Sequence, residues 1–208
     1  MKGKFITFEG CEGVGKSRQV RELAEYLRQK NVDFLVTREP GGNAISEKIR
    51  ALILSPENDK MSDECEALLY AASREQYLKE VVIPALAAGK TVVSDRFVHS
   101  SFAYQGYARG LGFDYVAAIN RTAMTDCMPD CTIFLNLSSR EAFLRKGGAD
   151  KSDRVELAGA EFHDRVYRGY LELLKKFPEQ MVAVECRGAV KDTAKNIVTV
   201  LKERKLIP

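Results

Sequence analysis

The sequence predicts an α/β fold in which a parallel sheet of five strands is flanked by helices. Short apolar runs bounded by turn residues alternate with amphipathic stretches, and they lie at residues 4–8, 33–37, 91–94, 131–137 and 181–185. Continuous apolar runs are typical of strands buried on both faces, as in parallel sheets. Strands that alternate with helices give a doubly wound sheet, whose ligands bind at the carboxyl ends of the strands.

Three amphipathic stretches between these runs predict helices with one apolar face each. The predicted core stripes are Val20, Leu23 and Leu27; Ile45, Ile49, Leu52 and Ile53; and Phe162, Val166, Tyr170, Leu173 and Phe177. Spacings near four and seven residues place each stripe on one side of a helix. A fourth helical region, residues 63–88, contains Pro84, which we expect to kink or divide it because proline cannot donate the helical hydrogen bond.

The composition predicts one globular domain over residues 1–208. The 208 residues can bury a real core, and 32 basic against 29 acidic side chains leave a formal net charge of +3. So small a charge does not indicate a nucleic-acid or membrane partner. No apolar run approaches the roughly 18 residues of a membrane-spanning helix, and the apolar stretch at residues 5–8 is too short for a signal peptide.

The five cysteines and two histidines do not form a metal-binding pattern. The cysteines are odd in number and scattered, and Cys127 and Cys131 lack the C-x-x-C spacing of a zinc site. We therefore expect free thiols in the reducing cytoplasm. His99 and His163 have no carboxylate or cysteine at ligand spacing, which favours structural or surface roles.

A phosphate-binding loop follows the first predicted strand. Residues 10–17 read G-x-x-x-x-G-K-S, in which the glycines let backbone N–H groups point at phosphate oxygens while the next helix directs its positive dipole end there. Lys16 is expected to neutralise the β- and γ-phosphates of a nucleoside triphosphate, and the Ser17 hydroxyl to bind Mg²⁺. The predicted nucleotide-binding residues are Gly10, Cys11, Glu12, Gly13, Val14, Gly15, Lys16 and Ser17.

A second charged constellation follows the third predicted strand. Asp95 stands where that strand ends, so it is expected to hold Mg²⁺ together with Ser17. Arg96 is then free to bind a second anion. The alternative is that Asp95 caps a turn and Arg96 pairs with it.

A glycine-rich loop, TREPGG at residues 37–42, follows the second predicted strand. Pro40 stiffens the turn and the two glycines permit close approach of a ligand, although a plain strand-to-helix loop fits the composition equally. In the helix that follows, Arg50 lies about 115° from the centre of the predicted apolar stripe, so it is free to point away from the core.

Tyr70 and Arg74 are four residues apart and share one face of a predicted helix. An aromatic ring beside an arginine, off the core face, is a candidate platform for stacking a base. The alternative is a solvent-facing pair. The expected core face of this helix carries Leu68, Ala71 and Ala72.

Several collinear motifs resemble the thymidylate kinase family over nearly the whole chain. They are REPGG, DRF, SSFAYQGYARGLG (residues 100–112), LLYAASREQYLKEVVIPAL, PDCTIFLNL, DRVE and FHDRVYRGYLEL. The resemblance implies a P-loop nucleoside monophosphate kinase-like fold and the phosphorylation of dTMP to dTDP by ATP and Mg²⁺ in dTTP synthesis. It also implies a cytoplasmic homodimer. The alternatives are a kinase of another pyrimidine monophosphate and a nucleotide-binding switch without transfer activity.

The resemblance further implies roles in an acceptor segment at about residues 38–78 and in the motif after Arg96. The side chains expected to bind dTMP are Glu12, Glu39, Arg50, Tyr70, Arg74, Arg96, Ser101, Tyr104 and Gln105. Tyr70, usually phenylalanine in the family, stacks on thymine, and Arg74 donates to its O4 atom. Ser101 and Gln105 reach the base edge. Tyr104 crowds the ribose 2′ position, and Arg50 and Arg96 clamp the 5′-phosphate.

Family members of the bacterial type send catalytic arginines from a lid, which matches residues 143–156. Others carry an arginine in the phosphate loop, at the position of Gly13. The expected catalytic residues are Lys16, Arg96, Arg145 and Arg154, with Arg145 as the first choice in the lid. Lys146 and Lys151 are further lid cations, and Gly147 and Gly148 are expected hinges. The loop at residues 186–190 is placed to contact adenine.

Overall fold

The computed structural model describes residues 3–145 and 153–208, which contain a sheet of five parallel strands. The strands are β1 (Phe5–Glu9), β2 (Phe34–Arg38), β3 (Thr91–Asp95), β4 (Cys131–Asn136) and β5 (Met181–Glu185). Their order across the sheet is β2-β3-β1-β4-β5. The five-stranded parallel sheet predicted from the apolar runs is confirmed, with strand ends that differ from the predicted ones by one residue at most.

The strand β1 lies at the centre of the sheet, where every one of its residues is buried. It pairs with β3 on one side, with Phe8 opposite Asp95, and with β4 on the other, with Thr7 opposite Thr132. Because these strands are parallel, their carboxyl ends open on the same edge of the sheet. The segments that follow β1 and β3 therefore lie side by side.

Helices cover the sheet and connect its strands. They are α1 (Lys16–Gln29), α2 (Ala44–Leu54), α3 (Asp63–Tyr77), α4 (Ile83–Ala87), α5 (Val98–Ser101), α6 (Phe113–Ile119), α7 (Arg121–Asp126), α8 (Ser139–Arg145), α9 (Ala160–Lys176) and α10 (Val190–Glu203). Two π-helical segments, Leu78–Val82 and Phe102–Ala108, and two short 3-10 helices, Pro56–Asn58 and Glu156–Ala158, complete the described structure.

Two of the three predicted apolar stripes face the core. The stripe of α1 is buried throughout, and in α9 only Phe177, just beyond the helix end, remains half-buried. Pro84 divides its helical region as predicted. Pro84 lies in the first turn of α4, directly after the π-helical segment that follows α3, so the hydrogen bonding of the helix changes just before the residue that has no N–H to donate.

The prediction that the apolar stripe of α2 faces the core is wrong for most of its residues. Ile45 and Leu52 are 51% and 53% exposed, Ile49 is half-buried, and only Ile53 is fully buried. The reason is that α2 packs along α3 rather than on the sheet, with the Ser46 hydroxyl donating to the Ser73 carbonyl at 2.9 Å. One apolar side of α2 is left at the surface of the described chain.

The predicted orientation of α3 is also wrong. Leu68 is 51% exposed and Ala72 is exposed, whereas Arg74 and Tyr77 are completely buried. An arginine can be buried when its charge and N–H groups are matched, and Glu39 supplies the opposite charge here. The helix therefore turns its polar face inward, toward the carboxyl ends of the strands.

None of the described helices is long and apolar enough to cross a membrane. All five cysteines are free thiols, and four of them are buried.

Candidate active site

The phosphate loop connects β1 to α1 and closes around its own lysine. Its three glycines, Gly10, Gly13 and Gly15, have positive φ angles of 141°, 79° and 95°. Residues with a side chain rarely adopt this backbone conformation. Lys16 Nζ donates to the carbonyls of Gly10 at 3.1 Å and Cys11 at 2.8 Å. Burial lowers the pKa of Lys16, and an anion bound in the loop would favour the charged form of this amine again.

Gly13 packs directly against α8. A Cβ atom at this position would lie 2.9 Å from the carbonyl oxygen of Ala142. A larger residue, such as the arginine that some family members carry here, does not fit the observed backbone. Positive charge beyond Lys16 must therefore come from outside this loop.

Ser17 and Asp95 meet across the sheet edge. The Ser17 hydroxyl, in the first turn of α1, donates to Asp95 Oδ2 at the end of β3 over 2.9 Å. A hydroxyl and a carboxylate are hard oxygen ligands, and Mg²⁺ is usually held by one or two carboxylates together with phosphates and waters. The pair fits such an ion without any further protein ligand.

Arg96 directs its guanidinium back toward the phosphate loop. Its backbone φ is 76°, and its Nη1 atom donates to the Gly10 carbonyl at 3.1 Å. Nη2 donates to the Tyr104 hydroxyl at 3.1 Å and also pairs with the Glu12 carboxylate. Arg96 therefore connects the phosphate loop with the segment that carries Tyr104.

Glu9, the last residue of β1, is completely buried next to Arg96. Its carboxylate accepts from the backbone N–H groups of Phe97 at 2.8 Å and Ser100 at 3.1 Å. It also accepts from the hydroxyls of Ser100 at 2.6 Å and Tyr170 at 2.8 Å. Burial raises the pKa of Glu9, and the Arg96 charge and the hydrogen bonds oppose the rise. Sequence reasoning missed Glu9; its signal is a carboxylate inside an apolar strand.

A cavity of about 530 Å³ extends from the phosphate loop between β2, α2, α3 and the segment after β3. It brings together most of the predicted side chains. Those lining it are Glu12, Gly13, Gly15, Lys16, Ser17, Glu39, Arg50, Tyr70, Arg74, Asp95, Arg96, Tyr104 and Gln105. Arg18, Arg21 and Arg38 also line it; the sequence analysis did not select them, although they follow the loop and the second strand directly.

Arg74 is held rigidly at the base of this cavity. Its Nη1 donates to Asn120 Oδ1 at 2.6 Å, and its Nη2 donates to Ser101 Oγ at 3.0 Å and pairs with Glu39. Ser101 therefore supports Arg74 instead of lining the cavity. Burial raises the pKa of Glu39 to about 7, while the charge of Arg74 opposes the rise. Within the described residues, Arg74 Nε and Glu39 Oε2 are buried without a hydrogen-bond partner.

The arginines around the cavity differ in what they contact. Arg50 donates to the Pro40 carbonyl at 3.0 Å. Arg154 donates from Nε to the Ile53 carbonyl at 2.8 Å and from Nη2 to Glu66 Oε2 at 2.5 Å, on the acceptor side of the cavity. Arg145 is exposed at the end of α8. The other predicted lid residues, Lys146, Gly147, Gly148 and Lys151, lie outside the described residues.

The remaining predicted positions are not among the residues that line this cavity. The loop after β5 approaches the start of α1, where Gln19 Nε2 donates to the Val190 carbonyl at 3.1 Å. His99 is completely buried beside Thr132, and burial lowers the pKa of His99 to about 3. His163 is half-buried and lies 3.3 Å from the Glu156 carbonyl.

The fold and the cavity together define a kinase of the P-loop nucleoside monophosphate type. A phosphate loop, an oxygen pair suited to Mg²⁺ and a set of arginines, of which Arg74 is completely buried, meet at one edge of a five-stranded parallel sheet. Arg96 contacts the loop, whereas Arg50 and Arg74 line the cavity together with it, and this cluster of positive charge suits a second anion. That arrangement suits the transfer of a phosphoryl group between two nucleotides.

The chain belongs to the thymidylate kinase family, whose members are enzymes that phosphorylate dTMP. The family model described as thymidylate kinase matches residues 8–197. The thymidylate kinase of Oceanobacillus iheyensis is 46% identical, with 98% of this chain and 93% of that protein covered. That of Anoxybacillus flavithermus is 49% identical over 87% and 88%. The crystal structure of thymidylate kinase from Ehrlichia chaffeensis is similar with a TM-score of 0.78 and 28% identity, covering 97% of this chain and 100% of that one.

Proposed function

We propose that this chain transfers the γ-phosphoryl group of ATP to dTMP, with Mg²⁺, and so supplies dTDP for dTTP synthesis. The observation that carries the proposal is the continuity of one cavity from Lys16 and Ser17 to Arg74 and Gln105. A nucleotide bound in the loop and a monophosphate bound among the arginines would meet end to end.

On the donor side, Lys16 and the backbone N–H groups of the loop hold the β- and γ-phosphates. Ser17 and Asp95, 2.9 Å apart, are the residues that would hold Mg²⁺, which supplies charge neutralisation between the phosphates. We assign the loop at residues 186–190 to the adenine; the contact of Gln19 on α1 with the Val190 carbonyl supports this assignment.

On the acceptor side, Arg50 and Arg96 bind the 5′-phosphate of dTMP. Tyr70 supplies an aromatic face to thymine, and Tyr104 lies beside the sugar together with Glu12. Arg74 reads the O4 atom of the base, and its Nε, which has no hydrogen-bond partner among the residues that the structure describes, is a donor that supports this role. Ser101 and Glu39 hold the guanidinium of Arg74 in place, while Gln105 faces the base edge.

In the transfer, an oxygen of the dTMP phosphate attacks the γ-phosphorus and the bond from that phosphorus to the β–γ bridging oxygen breaks. The protein contributes alignment and neutralisation of charge rather than a covalent intermediate. Lys16 and Arg96 flank the transferred group. Arg145, exposed at the end of α8, is the lid residue that we assign to the same task, because Arg154 is engaged by Glu66 on the acceptor side.

The exposed apolar side of α2 and α3 supports a homodimer as the functional form. Ile45, Leu52 and Leu68 are each more than half exposed on two helices that pack together. Exposed apolar surface of this kind marks sites of association, and we assign it to a second copy of this chain. The free cysteines support a reducing compartment, the cytoplasm, as the place of action.

The deciding experiment measures diphosphate formation from dTMP, dUMP, dCMP and dGMP with Mg-ATP. We expect the highest kcat/KM with dTMP and no turnover when EDTA removes the metal. The Lys195→Ala variant, altered at an exposed position on α10, serves as a matched control with wild-type rates. Faster turnover of another monophosphate would assign a different substrate, and ATP binding without any transfer would overturn the proposal in favour of a nucleotide-binding switch.

A further inference from the structure

Glu66 lies on α3 behind the acceptor cavity, where it is completely buried. It accepts hydrogen bonds from three side chains of other segments. Gln105 Nε2 donates at 2.9 Å, Arg109 Nη2 at 3.0 Å and Arg154 Nη2 at 2.5 Å. The two guanidinium groups match the charge of Glu66, and neither the motifs nor the proposed transfer gives this carboxylate a role.

The contact with Glu66 fixes the direction of the Gln105 side-chain amide. A carboxylate only accepts hydrogen bonds, so the amide atom that faces it must be the nitrogen. Gln105 is 2% exposed and lines the acceptor cavity. The amide oxygen is therefore turned away from Glu66, and we take it as the acceptor that Gln105 offers a ligand in the cavity.

We propose that Glu66 is a positioning residue that sets base specificity by holding Gln105 in this direction. The inference rests on the proposed function, in which the cavity holds the base of a nucleoside monophosphate. Thymine and uracil carry an N–H donor at ring position 3, which matches a fixed acceptor. Cytosine carries a nitrogen acceptor at that position, so two acceptors would face each other. A buried polar group left unpaired costs binding energy, and cytosine is disfavoured without any contact to Glu66 itself.

Arg74 provides a separate check at the neighbouring ring position. Its guanidinium can donate to the carbonyl oxygen of thymine but not to the amino group of cytosine. Arg74 is held by Glu39, Ser101 and Asn120, so its position does not depend on Glu66. Loss of the Glu66 carboxylate should therefore relax base selection without reversing it.

The test compares kcat/KM for dTMP, dUMP and dCMP in the wild-type enzyme and in the Glu66→Gln variant. A glutamine at this position presents either amide atom, which leaves Gln105 free to turn. The dTMP/dCMP ratio should fall about tenfold, whereas the dTMP/dUMP ratio should not change because both bases carry the N–H group. An unchanged dTMP/dCMP ratio would overturn the proposal.

Asp63→Asn is the matched control, since Asp63 pairs with the same Arg109 at 3.3 Å. It should leave both ratios at their wild-type values, and an equal fall in the dTMP/dCMP ratio there would also refute a specific role for Glu66. If Glu66→Gln does not fold, Gln105→Met removes the amide while Glu66 keeps both arginines. That variant should show the same loss of selectivity, and an unaltered ratio would count against the proposal.

The combined variant separates positioning from a structural role. Once Gln105→Met has removed the amide, the Glu66→Gln change should lower the dTMP/dCMP ratio no further. A further loss would mean that Glu66 acts by another route. Failure of the proposed function is recognised separately, because the wild-type enzyme itself would then show no turnover of dTMP.

Discussion

Glu9 and Arg96 are joined through two hydroxyl groups rather than through a close ion pair. Their charged atoms approach to 3.8 Å, whereas Arg96 Nη1 donates to both Ser100 Oγ and Tyr170 Oη at 3.1 Å. Each hydroxyl in turn donates to Glu9. The carboxylate at the end of β1 thus sets the direction of both hydroxyls, and the hydroxyls set the position of the guanidinium.

The Glu9→Gln variant should therefore displace Arg96. The new amide would face the Ser100 and Tyr170 hydroxyls with donors, and each hydroxyl would then lie between two donors. We expect kcat/KM for dTMP to fall by about tenfold or more, with little change in the KM for ATP. Steady-state kinetics with each substrate varied in turn would check this, and an equal rise in both KM values would contradict the role.

The Lys16→Ala variant should lower kcat by about 100-fold or more, because preorganised electrostatic contacts are worth roughly 3–4 kcal/mol in a transition state. Lys16 also bridges two carbonyls of its own loop, so circular dichroism should confirm that the fold is retained. Lys195→Ala is the control. Near-native turnover of the Lys16 variant would exclude its assigned role.

The Arg74→Ala variant should impair the use of dTMP far more than that of ATP. The side chains of Arg74 and Glu39 are at most 2% exposed, so the Arg74→Ala variant leaves Glu39 buried without its partner. Breaking a buried ion pair costs about 3–5 kcal/mol of stability. A second variant that combines Arg74→Met with Glu39→Gln removes both charges. Urea titrations should show that this double variant recovers stability, whereas its KM for dTMP should stay raised. Equal losses for dTMP and ATP in the Arg74→Ala variant would argue against base reading.

Acid should destabilise the fold through His99. Its pKa is about 3 in the folded state, because of burial and the charge of Arg74, against about 6.5 when unfolded. As the pH falls, the unfolded state therefore binds a proton on His99 before the folded state does. The stability that goes with a neutral His99 is lost between about pH 6.5 and pH 3, by at most about 1.4 kcal/mol per pH unit. Urea unfolding at several pH values should show a shallower loss for His99→Phe, while His163→Gln keeps the wild-type slope.

The exposed side of α2 and α3 should govern association. Replacing Leu52 or Leu68 with glutamate would put charge into the proposed apolar contact between two copies, so we expect a monomer in analytical ultracentrifugation. Leu144→Glu, which changes a leucine of α8 that is 70% exposed, serves as the control. An unchanged mass for all three variants would place any dimer contact elsewhere.

The strands and the phosphate loop could be predicted because their signals are local. Apolar runs located the five strands, and the spacing of Lys16 and Ser17 identified the loop. The faces of α2 and α3 could not be predicted in this way, since periodicity shows that a helix has two sides but not which neighbour covers each. Arg74 was placed away from the core because its compensating Glu39 lies 35 residues away.

The same limit applies to the supporting residues of the site. Asn120, Glu9 and Tyr170 act on arginines from segments that are distant in sequence, and no short motif joins them. Glu9 alone carried a local signal, as a charged residue at the end of a buried strand. Side chains that would touch a ligand followed recognisable motifs, whereas those that hold them in place depend on the packing of the whole fold.

Asp95 and Arg96 are consecutive residues, and this adjacency limits how the chain could acquire a different substrate. One side chain reaches the hydroxyl of Ser17 and the next reaches back to Glu12. In the proposed transfer, a single peptide bond would therefore set the span between the metal and the acceptor phosphate. An insertion there would pull the reacting ends apart. The far end of the cavity, on α3 and its neighbours, is assembled from separate segments of chain, so base preference can change there without altering that span.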